Sequence, residues 1–82
     1  MATRNMAAAA KNAAHHFCVG GGSSRAKAWP HVTNHDDIVD GVVMDEVRAA
    51  WSADSEYRFA PADLIEFRKI FIELIAKKGF VI

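Results

Sequence analysis

Between Pro61 and Gly79 lies the segment that most restricts what this chain can become. Residues 62–78 carry Leu64, Ile65, Phe67, Ile70, Phe71, Ile72, Leu74 and Ile75. Glu66, Lys69, Glu73 and Lys77 make one narrow polar stripe at spacings of three and four, with Arg68 to one side. That periodicity predicts a helix. Pro61 suits its first position, where a missing N–H costs nothing. Gly79 suits the left-handed position just past its end, with Phe80 folding back on Ile75 in a Schellman ending. A helix packed on one neighbour needs an apolar stripe of roughly 100°. Here most of the circumference is apolar, so the helix asks for more cover than one neighbour gives.

A second helix is predicted over 35–51. Asn34 is a good N-cap, and Asp36 and Asp37 then fall in the first turn, where the helix dipole favours anions. Ile38, Val39, Val42, Val43, Val47, Ala50 and Trp51 follow at spacings of three and four, which is one apolar face. Gly41 and the β-branched residues weaken this helix, and a strand over Ile38–Met44 is the competing reading. Residues 52–60 connect the two segments. The expected fold is all-α, a small helical hairpin of helices near 35–51 and 62–78, forming a domain over 33–82.

Residues 1–32 read as a basic, Ala/Gly-rich arm. The chain's formal net charge of zero conceals a division: residues 1–35 hold Arg4, Lys11, Arg25 and Lys27 and no acid, whereas 36–82 hold ten acids against six bases, a net of −4. Residues 5–17 have high helix propensity but little large apolar surface, so a helix is expected there only if it docks. Gly20, Gly21, Gly22, Ser23 and Ser24 read as a flexible linker, ending in an extended step before Pro30. With glycine uncoupling it, the arm is expected to add little stability. Its lack of acids and its alanines also resemble the composition of an organellar transit segment, against a default expectation of a cytoplasmic protein. The interrupted alanine run makes a poor secretory signal. No apolar run reaches the ~18–20 residues that cross a bilayer. A single cysteine, Cys18, leaves no intramolecular disulfide.

Few residues have spacing that points to chemistry. His15, Cys18, His31 and His35 are spaced H-x2-C-x12-H-x3-H, similar to a classical zinc-finger pattern. The departures are a histidine in the first ligand position, no large apolar residues between the ligand pairs, and Pro30 just before His31. A zinc-stabilised module using these four, touching nucleic acid, is the alternative reading; the first reading has no metal and no cofactor. Cys18 beside His15 or His16 has nothing to orient it as a thiolate–imidazole pair. The glycine run lacks the spacing of a phosphate-binding loop or dinucleotide fingerprint. Asp36, Asp37, Asp40, Asp45 and Glu46 lack calcium-loop spacing. Four scattered bases and an acidic helix argue against nucleic acid as a partner.

The expectation is therefore a non-enzymatic interaction module, self-associating as a homodimer or docking on a larger protein as an accessory or inhibitory subunit. The 62–78 helix presents one sector with Leu64, Phe67, Phe71, Leu74 and Ile75, and another with Ile65 and Ile72, Ile70 lying between. Helix 35–51 covers one sector, leaving these residues and Trp51, as an aromatic anchor, to carry the contact.

Overall fold

The computed structural model describes residues 5–19 and 23–81, and among them every regular element is helical. In chain order these are α1 (Met6–Cys18), α2 (Ser24–Ala28), a 3-10 turn η1 (Trp29–His31), α3 (His35–Ala53) and α4 (Pro61–Ala76). The competing strand at Ile38–Met44 is overturned, because those residues lie inside α3. Their β-branched side chains are accommodated by burial: Val39 and Val42 enter the core, and Ile38 and Val43 pack against it.

The local chemistry at the helix ends follows the sequence closely. The Asn34 side chain accepts from the Asp36 N–H at 3.1 Å, and Asp36 and Asp37 occupy the first turn of α3. Pro61 opens α4, and the Asp63 carboxylate accepts from the Ala60 N–H at 3.2 Å. Ala60 has no side-chain oxygen, so this is only the returning half of a capping box. At the other end the Phe80 N–H donates to Ile75 O and the Gly79 N–H to Ala76 O, both at 3.1 Å. These are the two bonds of a Schellman ending. Gly79 has φ +100°, and a Cβ there would meet nothing within 4 Å. A Gly79→Ala change is thus a test of backbone conformation alone. It should lower stability by about 1 kcal/mol, seen as a lower urea midpoint with an unchanged slope.

The hairpin of α3 and α4 is present, but it is not the whole fold. The most extensive helix–helix contact in the molecule is between α1 and α4. Within residues 1–32, expected as a flexible arm or an extra helix, Met6–Cys18 is a helix docked on α4. Met6, Ala10, Ala14 and Phe17 are buried along one side of α1 at steps of four, four and three. Each alanine buries little area, but small side chains allow two helix axes to approach closely. Phe67, Phe71 and Ile75 are wholly buried in the same cluster. Residues on both sides of the expected division at 32/33 therefore share one core. The Gly20–Gly22 linker lies outside the described residues.

Phe17 is the hub of that core. Its ring meets Phe80, Phe71 and Trp29 edge to face, with centroids 4.9, 5.5 and 5.9 Å away. Such geometry aligns the positive ring edge with the negative face of its neighbour. Trp29 is not extended before Pro30 as expected; it is helical, with φ −48° and ψ −49°. The indole is 5% exposed among Phe17, Phe80 and His35. Its burial outweighs the local preference against helix before proline.

Ion pairs fix the surface of α3. Arg68 of α4 bridges Asp36 and Asp40 at 2.6 and 2.5 Å, and Arg25 of α2 reaches Asp45 at 2.5 Å. A Cβ at Gly41 would stand 3.0 Å from the Arg25 guanidinium, the far end of a flexible side chain that could yield to it.

Candidate functional site

The residues expected to bind a partner divide into two groups. Phe67, Phe71 and Ile75 are fully buried in the core cluster that also holds Met6, Ala10, Ala14 and Phe17 of α1. Leu64, Ile70, Ile72 and Leu74 are half-buried. Ile65 is 68% exposed and Trp51 47% exposed. Met44, which the sequence pattern did not single out, is 45% exposed.

Met44 and Trp51 lie on α3 and Ile65 on α4. Asp40 on α3 is paired with Arg68 on α4, which aligns the two antiparallel helices. One turn beyond Asp40 toward the connection comes Met44, and one turn from Arg68 in the same direction comes Ile65. Trp51 is two turns beyond Met44 on the same face of α3. The indole N–H of Trp51 donates to Tyr57 O at 2.9 Å, so its ring is held against the 54–60 connection. Tyr57 is buried there and meets Phe59 with ring centroids 4.8 Å apart. Arg48, four residues from Met44, and Lys69, four from Ile65, give the patch a polar border. The signal that would have found Met44 is its spacing of seven from Trp51.

The four residues of the zinc-like pattern are not gathered. His15 is exposed on α1 with its ring centroid 6.0 Å from that of His16, and His31 is exposed in η1. His35 is committed elsewhere: its Nε2 lies 2.8 Å from Trp29 O, a bond that needs the proton on Nε2, and its ring lies tilted by 33° against Trp29 with centroids 4.3 Å apart. Among the described residues no three His, Cys, Asp or Glu side chains converge as a metal site would require. Cys18 is half-buried. Burial pushes its thiol up from the ordinary cysteine value, and the nearby Lys78 ammonium acts in the opposite sense. A thiol held protonated is a poor nucleophile, which leaves the Cys18–His15 pair without activation.

The surface formed by the described residues includes two clefts of note. One, of about 230 Å³, lies between α1, α2 and α3 and is bordered by Arg25 and Asp45, which already pair with each other. The other, of about 460 Å³, lies between α1 and the end of α4, lined by Lys11, Ala14, His15, Cys18, Val19, Leu74, Lys77 and Lys78. None of the described helices is long and apolar enough to cross a membrane. Compared with known proteins, the chain matches no family model, no curated protein and no solved structure.

Proposed function

We propose that this chain is a small, non-enzymatic protein-interaction module whose contact surface is the open face of the α3–α4 hairpin. The observation that supports the reading is the exposure of three large apolar residues of the hairpin, Ile65, Met44 and Trp51, at 68, 45 and 47%. Single exposed apolar residues are ordinary, but adjacent large ones with a polar border are the anatomy of a contact. The face is narrower than the sequence implies, because α1 takes the Phe67–Phe71–Ile75 sector into the core. The simplest occupant is the same face of a second copy, an isologous pairing in which Ile65 and Met44 meet their own counterparts.

Sedimentation over a wide concentration range tests this. The wild-type chain should show reversible association, and Ile65→Glu should leave a monomer with its thermal unfolding unchanged, since the side chain supports no core contact. A wild-type chain that stays monomeric throughout, or an Ile65→Glu chain that associates as before, removes the face from consideration as a self-contact.

A further inference from the structure

The cleft between α1 and the end of α4 has a chemistry unlike the rest of the surface. Its walls are apolar: Ala14 and Val19 from the α1 side and Leu74 from α4, with the Cys18 thiol between them. Its remaining lining is Lys11, His15, Lys77 and Lys78, with no carboxylate. Elsewhere Arg68 pairs with Asp36 and Asp40, and Arg25 and Arg48 pair with Asp45. Lys11, Lys77 and Lys78 make no such pair among the described residues. The ends of α1 and α4 account for part of this, because a helix C-terminus favours a cation. They do not account for Lys11, which lies in the interior of α1. The volume, about 460 Å³, is that of a small-molecule site.

We propose that this cleft binds an amphipathic anion, a carboxylate or phosphate monoester carried on a short apolar chain. The head group sits among the Lys11, Lys77 and Lys78 ammonium groups, with the His15 imidazole as a further hydrogen-bond partner. The chain lies along Leu74, Ala14 and Val19 and covers the Cys18 sulfur. This site is on the α1 side of α4, away from Ile65, and does not depend on the interaction face.

Octanoate is the probe, with octyl phosphate as the second head group and octanol as the neutral control. Titration of the labelled full chain, followed by amide chemical shifts, should move Ala14, His15, Cys18, Lys77 and Lys78 with both anions. Occupancy should also slow alkylation of Cys18 by iodoacetamide. The Lys11→Gln/Lys77→Gln/Lys78→Gln variant removes exposed charges only and keeps the fold. It should bind octanoate roughly tenfold more weakly, as expected for the loss of a few solvent-exposed ion pairs. Equal binding of octanol, unchanged affinity in the triple variant, or shifts centred on Met44 and Ile65 would each overturn the proposal. So would binding seen only on anionic phosphatidylglycerol vesicles, which would make the lysines a surface for membranes and not a site.

Discussion

A chain lacking residues 1–22 should show no cooperative unfolding transition. The truncation removes Met6, Ala10, Ala14 and Phe17 from the core and uncovers Phe67, Phe71 and Ile75, which are wholly buried in the full chain. Loss of a buried phenylalanine alone costs about 3–5 kcal/mol, and Phe17 is the ring on which Trp29, Phe71 and Phe80 converge. A domain of this size has roughly 5–10 kcal/mol to lose. Circular dichroism against temperature and urea reads the outcome. A sigmoidal transition with the midpoint of the full chain would show that residues 33–82 stand alone and that α1 only rests on them.

Phe71→Ala should be the most damaging single truncation in α4, lowering stability by about 3–5 kcal/mol. The ring is fully buried, edge to face with Phe17 at 5.5 Å and parallel to Phe67 at 6.4 Å. No polar group is available to fill the space, and three helices fix its walls. Ile65→Ala is the control on the same helix. With 68% of its surface exposed, it should change stability by less than about 0.5 kcal/mol. Equal losses at the two positions, measured by urea denaturation, would mean that the inward face of α4 is wrongly assigned.

These two results bear on the inference that the chain has more apolar helix than it can bury. The surplus on α4 was counted against α3 alone. Once α1 is included, the Phe67–Phe71–Ile75 sector has its cover inside the chain, and of the large apolar residues on α4 Ile65 is left exposed. The contact face proposed for this chain is correspondingly small. The acidic face of α3 is likewise less free than its charge suggests, because Asp36, Asp40 and Asp45 are engaged by Arg68 and Arg25.

What the sequence by itself determined are the features governed by neighbours within one or two turns. Asn34 caps α3 because its side chain reaches an N–H two residues on. Pro61 and Gly79 bound α4 because one lacks a donor and the other lacks a Cβ. The apolar spacing of 35–51 and 62–78 is a property of helical periodicity and appears as α3 and α4 almost unchanged. What only the tertiary structure decided are the contacts between residues far apart in the chain. An alanine helix has no strong pattern, and its value lies in how closely it lets another helix approach, which no local spacing records. Trp29 turned helical before Pro30 for the sake of burial against Phe17 and Phe80. The spacing of His15, Cys18, His31 and His35 resembled a ligand set, yet the fold uses His35 to hold the Trp29 carbonyl and leaves His31 exposed. Local stereochemistry is written residue by residue, whereas the choice of partner for each apolar face is a competition among all faces at once, and α1 won the face of α4 that holds Phe71.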